Sequence, residues 1–243
     1  MSTFVDLLPQ TLNDVCEART VEIENEVSRP LRHAAWDADA FAEEQIRGLV
    51  RQVFFPGWPQ PARQVVFSPV DPETDISGIC MQVGLALSAQ GLGATCLVEA
   101  NLNCPGLGPV VERNGHDLIA GRKRSAFRDS RRKSDELWLI PKTDFFAENE
   151  NRFSGAWLQD RLTELRKTFD YSVLYGPPAS TGSEAALLGS LCDGVVLIVE
   201  ANSTRRVAAQ KVKEKLREAN ACLLGTVLCG RTFPIPDIIY KKL

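Results

Sequence analysis

QVVFSPVDPETDISGICMQVGLALSAQGLGATCLVEA, residues 64–100, holds the reading of the fold. Its first five residues are short, β-branched and bounded by prolines, the pattern of a strand buried in a parallel sheet. Residues 79–90, ICMQVGLALSAQ, are apolar almost throughout and suit a buried helix that the glycines of GLG bring to an end. ATCLVEA then reads as a second strand. Between the first strand and the helix lies DPETDISGIC, residues 71–80, in the place where many α/β proteins hold a phosphate. This loop carries acids and lacks the glycine-lysine pair that would neutralise a nucleotide.

The same alternation runs outward in both directions. Upstream, residues 37–54 have helical spacing, with Phe41, Ile46, Leu49, Val50 and Val53 on one side and Phe54, Phe55, Pro56 and Gly57 closing the helix. Downstream, residues 170–175, 194–200 and 223–228 read as short apolar strands, and residues 205–219 as a charged amphipathic helix between two of them. Strands alternating with helices predict an α/β fold: a doubly wound, mostly parallel sheet flanked by helices on both faces. In such sheets ligands sit beyond the carboxyl ends of the strands, so the loops after Phe67, Val98 and Leu174 should share one edge. Residues 1–36 are polar and acidic with no dominant period and read as a loosely attached arm. Residues 37–243 read as a single domain.

Composition narrows the function classes. The 243 residues are 44% hydrophobic and 24% charged, ordinary for a chain able to bury a core. A net charge of -3 gives no overall attraction to nucleic acid or an anionic membrane. The seven cysteines, Cys16, Cys80, Cys96, Cys104, Cys192, Cys222 and Cys229, form no CxxC pair and no zinc spacing, which fits reduced thiols in a cytosol. No apolar run approaches the ~20 residues of a membrane span. A cytoplasmic chain, with membrane association only through a partner, is the expectation. Residues 122–133, RKRSAFRDSRRK, form a dense basic stretch that reads as a solvated loop, with binding of a phosphate-rich polymer or lipid headgroups as the alternative. His33 and His116 lack a nucleophile or carboxylate at a recognisable spacing, so a hydrolase triad has no support.

Several segments together carry a resemblance. FDYSVLYGPP, EAALLGSLCDGVVLIVEANSTRR, LLGTVLCGRTFPIP and the ending IIYKKL resemble the bacterial tyrosine kinase family, whose wider superfamily of deviant P-loop ATPases includes partition and septum-placement proteins. EANLNCPGL resembles that family's second acidic motif, DADxxxP. EEQIRGLVR resembles its oligomerisation motif, ExxRxxR, with Glu44 and Arg47 in place, Val50 where the second arginine should fall, and Arg51 one step later.

The resemblance sets PETDISG, residues 72–78, against the family's PGEGKST. Pro72 and Ser77 match. Glu73 and Asp75 replace glycines, Thr74 replaces a glutamate, Ile76 replaces the lysine and Gly78 replaces the threonine. Two carboxylates facing a triphosphate would repel it by roughly 1 kcal/mol or more per close pair even under strong screening. Glu99 and Asn101 stand for the two aspartates of the second acidic motif. Tyr175 stands for the next metal-binding aspartate, and a phenol is a poor magnesium ligand at neutral pH. Cys229 or Gly230 takes the place of an adenine-contacting asparagine. Tyr240 stands alone where the family carries a C-terminal tyrosine cluster, and reads as a packing residue.

The resemblance therefore implies a catalytically degenerate tyrosine-kinase-like protein, with no cofactor expected. It would act as a regulatory or scaffolding partner in bacterial capsule or exopolysaccharide biosynthesis and export. Its implied partners are a membrane polysaccharide co-polymerase or a kinase paralogue, in a homo- or hetero-oligomer, with no nucleic acid. The alternative is an active ATP-binding tyrosine kinase or ATPase with relocated magnesium ligands, drawn from Ser77, Glu99 and Asp71 or Asp75. Burial of Ile76 would make the loop a structural plug; exposure would make it a contact surface.

Overall fold

The computed structural model describes residues 2–6, 38–55, 61–103, 106–107, 119–120, 137–146 and 154–231. Among them, eight strands form one sheet: β1 (Ser2–Asp6), β2 (Gln64–Pro69), β3 (Thr95–Glu99), β4 (Ile119–Ala120), β5 (Leu137–Ile140), β6 (Tyr171–Tyr175), β7 (Gly194–Glu200) and β8 (Leu223–Arg231). Their order is β1-β8-β7-β2-β6-β3-β5-β4. Seven of them run parallel, and β1 pairs antiparallel with β8. The described helices are α1 (Ala38–Phe54), α2 (Ser77–Ser88), α3 (Lys142–Phe146), α4 (Gly155–Thr168), α5 (Glu184–Leu191) and α6 (Arg206–Glu218).

Both faces of the sheet are covered, as the alternation of elements predicts. Every residue of β2 is buried, and successive side chains serve opposite cores. Val65 and Phe67 join Ile46, Leu49 and Val53 of α1 and Cys80, Met81 and Leu87 of α2. Val66 instead joins Phe145 of α3, Leu158 and Leu165 of α4, Leu188 of α5 and Val212 of α6. A strand covered on both faces needs apolar residues at odd and even positions, which is why QVVF shows no polar alternation. On α1 the apolar positions recur at three and four residues and are buried, while Glu43, Glu44, Arg47 and Arg51 face water.

Residues 2–6 lie within the stretch read from sequence as an arm, and they form the strand that covers β8. Without them β8 would present an open row of backbone donors and acceptors.

The amino ends of the strands are tied by carboxylates. Asp193 accepts from the backbone N–H of Arg63 and of Gln64, each at 2.7 Å, and pairs with Arg166 at 2.9 Å. Asp170 accepts from Ala94 N at 3.0 Å and pairs with Arg63 at 3.4 Å. These bonds fix the lower edge of the sheet. The opposite edge is left to the loops after β2, β3, β6 and β7.

Candidate functional site

The loop after β2 turns back on itself, with Thr74 N donating to Asp71 O at 3.3 Å. Pro72, Glu73, Asp75 and Gly78 are exposed. Ile76 is not: it is 0% exposed and belongs to the core that holds Phe67, Cys80, Met81, Tyr175 and Ile198. The loop is thus plugged at the position the resemblance gives to the lysine. One residue earlier, Asp75 Oδ1 accepts from Ser77 N at 2.9 Å, placing a carboxylate at the positive end of α2. Thr74, also buried, donates from Oγ1 to Glu200 Oε2 at 3.1 Å. Asp71 Oδ2 is buried without a hydrogen-bond partner.

Glu99 and Asn101, which the resemblance sets against the second acidic motif, are engaged with backbone. Glu99, 4% exposed at the end of β3, accepts from Leu107 N at Oε1 and from Lys142 N at Oε2, the latter at 2.9 Å. It clamps the loop after β3 to the start of α3. Gly106 sits at φ 92° with room for a Cβ only 3.3 Å from Glu99 Oε1, so a side chain there would be strained in backbone and crowded against the clamp. Asn101 Oδ1 accepts from Asn103 N at 3.0 Å, a local turn that uses the amide oxygen. Lys142 Nζ reaches Leu102 O at 3.4 Å.

Tyr175 ends β6, and its ring is buried in the same core as Ile76. Beyond it the Gly-Pro-Pro turn is stapled to the end of β2. Gly176 N donates to Phe67 O at 2.8 Å, Ala179 N to Pro69 O at 2.9 Å, and Ser68 Oγ to Pro177 O at 2.6 Å. A Cβ on Gly176 would fall 2.6 Å from Val66 Cγ1, which explains the glycine without reference to a ligand. From α6, Lys215 Nζ donates to Ala179 O at 3.1 Å and also to Gly182 O.

The fold therefore brings residues 72–78, Glu99, Asn101 and Tyr175 to one sheet edge, where sequence reasoning placed them. Glu200 shares that edge through its bond to Thr74. Sequence reasoning did not single it out, although an acid closing the apolar run VVLIVE was a visible signal. Glu44, Arg47 and Arg51 lie instead on the exposed face of α1, where Arg47 pairs with Glu43 at 3.1 Å and Glu44 at 3.5 Å, and Arg51 with Glu44 at 3.9 Å. Val50 points into the core at 0% exposed, so Arg51, not residue 50, carries the charge on this face.

Cys80, Cys96, Cys192, Cys222 and Cys229 are reduced and outside any disulfide. Burial pushes the Cys192 thiol up to about 12, with Asp193 adding to the rise and Arg166 opposing it. Cys229 is raised by burial and then by the nearby Glu200 carboxylate. Neither has thiolate character at neutral pH. Cys16, Cys104, His33, His116, Tyr240 and the basic stretch 122–133 lie outside the described residues. Among the described residues, no three His, Cys, Asp or Glu side chains gather to hold a metal, and no helix is long and apolar enough to cross a membrane.

No family model matches the chain. The tyrosine-protein kinase CpsD of Streptococcus agalactiae is 30% identical over 74 residues, 30% of this chain and 32% of the relative. The tyrosine-protein kinase YwqD of Bacillus subtilis is 30% identical over 78 residues, 32% of this chain and 33% of the relative. These matches span about a third of the length of the curated relatives. The VpsO kinase domain superposes with a TM-score of 0.59 at 18% identity, covering 80% of this chain and 98% of that domain. The kinase domain of the Escherichia coli tyrosine kinase ETK gives 0.55 at 15% identity, covering 86% and 88%. By fold, then, this is an α/β protein with the architecture of the VpsO and ETK kinase domains. Its sequence relatives are bacterial tyrosine kinases.

Proposed function

We propose that the chain is a catalytically degenerate tyrosine-kinase-like protein. On this reading it serves as a regulatory or scaffolding partner in bacterial capsule or exopolysaccharide biosynthesis and export. The observation that carries the proposal is Ile76, which fills the core at the position where the resemblance places the phosphate-binding lysine. The rest of the edge suits Mg-ATP no better. Glu73 and Asp75 present carboxylates, Glu99 is engaged by two backbone amides, and Tyr175 offers a buried ring where an aspartate is needed. A triphosphate needs inward-turned amides, a cation and a free carboxylate for its metal. These residues do not fit that group.

With chemistry removed, what remains is a kinase-like frame with a stapled loop edge and a charged face on α1. In this proposal Glu44, Arg47 and Arg51 engage a membrane polysaccharide co-polymerase or a kinase paralogue. Association with the inner face of the membrane would come through that partner. The curated relatives are tyrosine-protein kinases, which supports the setting.

A second reading, an active kinase with relocated ligands, has one observation in its favour: the buried Asp71 Oδ2, a carboxylate oxygen that a magnesium ion would satisfy. Isothermal titration of ATP and ADP, with and without magnesium, separates the two. Wild type should give no heat. Micromolar binding by wild type, or phosphate transfer from ATP to itself or a partner, refutes the degenerate reading. The same titration on Asp75→Gly with Ile76→Lys shows whether restoring the two loop positions is sufficient for binding.

A further inference from the structure

The loop after β2 is closed from within, by two side chains that reach different elements. Thr74, 6% exposed, donates to Glu200 Oε2 at 3.1 Å. Glu200 ends β7, the neighbour of β2 in the sheet, so this bond joins two adjacent strand ends across the mouth of the loop. The far end is itself braced. Glu200 N donates to Thr204 Oγ1 at 3.1 Å, and the amides of Ser203 and Thr204 donate to Glu200 O at 3.3 and 3.0 Å. At the other flank Asp75 Oδ1 takes the N–H of Ser77, a donor of the first helical turn. In a nucleotide-binding loop such amides turn toward phosphate. In this chain an aspartate of the loop itself supplies the negative charge, which the positive end of α2 favours.

We propose that Thr74, Asp75 and Glu200 form an intramolecular latch that replaces a ligand and holds the edge in one closed shape. The proposal rests on the degenerate reading and adds a regulatory consequence. In nucleotide-driven switches, loops at such an edge order when the terminal phosphate is present and release when it is lost. Here the ordering groups are part of the chain and cannot leave. The edge offers a partner a constant surface, so partner binding is independent of cellular ATP and ADP.

The test is hydrogen–deuterium exchange of the full chain, read by mass spectrometry on peptides covering residues 70–78 and 200–205, with a thermal melt as the folding control. T74V should raise exchange in both peptides together by roughly tenfold, the equivalent of one hydrogen bond lost from a charged acceptor. T74S and E200Q should keep the wild-type pattern, because a serine hydroxyl and a glutamine Oε1 remake the bond. D75A should loosen only the start of α2. If T74V melts too low to assay, E200A breaks the same bond from the other side. A T74V or E200A variant that loosens one peptide and leaves the other at the wild-type rate overturns the latch, as does one that changes neither. Added Mg-ATP should leave the wild-type pattern unchanged. Protection by Mg-ATP would overturn the ligand-independent surface and the degenerate reading together, while the T74V result still decides whether the Thr74–Glu200 bond joins the two segments.

Discussion

Ile76→Lys restores the cation that the resemblance expects, and the structure gives it a definite cost. Ile76 is fully buried, and full burial of such a side chain is worth about 1.5–3 kcal/mol relative to exposure. The ammonium group cannot stay in that core without losing its hydration, a further penalty of several kcal/mol unless the stem extends outward past the exposed Asp75 and Gly78. Taking only the lost burial and the ordering of a long side chain, the floor is about 3 kcal/mol. For a chain of this size each kcal/mol moves Tm by about 2–4 °C, so differential scanning fluorimetry should show a fall of about 6–12 °C. Ile76→Val removes one buried methylene, costs about 1 kcal/mol and calibrates the scale. Mg-ATP should not restore the Tm of the lysine variant. If Ile76→Lys melts within about 2 °C of wild type and gains stability with Mg-ATP, the plug is not structural and the loop is one substitution away from binding.

Other outcomes follow from the same geometry. Glu99→Gln keeps one acceptor oxygen but turns an N–H toward a backbone N–H, leaving a buried donor unpaired; chemical denaturation should show a loss of about 1–3 kcal/mol, whereas a free metal-ligand carboxylate would give little change. The Cys192 thiol has a folded pKa of about 12 against an ordinary 9.0, so the folded chain holds this proton more tightly than the unfolded one. Its contribution is intact below pH 9 and declines between pH 9 and 12, and Cys192→Ala should flatten that part of the stability profile. Arg47→Ala with Arg51→Ala removes three exposed ion pairs at about 0.3–0.5 kcal/mol each, so it should lower Tm by only about 2–6 °C. A change in mass by light scattering for that pair of substitutions would assign the α1 face to self-association.

Much of this architecture is written plainly in the chain because its central strands are buried on both sides. GVVLIVE spans β7 to the residue, and the helix read at 37–54 begins at Ala38. Elements with weaker local signals were not picked out. LWLI of β5 is four residues long and gains its identity from pairing with β3. α5, EAALLGSL, is a short apolar run with no polar face, so periodicity does not separate it from a strand. β1 gives no signal on its own, because STFVD becomes a strand only against β8. At the edge, the loss of glycines and lysine was legible in PETDISG. The inward turn of Ile76 was not, since it depends on the core assembled from β2, β6 and β7. Nor was the Thr74–Glu200 bond, which joins residues far apart in sequence and adjacent only once β2 and β7 pair.

The pairing of β1 with β8 sets Val5 opposite Val227. Closing so long a loop adds only a slowly growing entropic cost, so the contact is affordable at equilibrium. In time it is another matter. During synthesis β1 is made well before β8, at roughly 5–20 residues per second, so Ser2–Asp6 must wait until Leu223–Arg231 has emerged. Until then one strand is unpaired and the sheet lacks its border. This border of the sheet thus closes late, and a nascent chain that has not yet reached β8 would expose a sticky margin that the folded protein keeps covered.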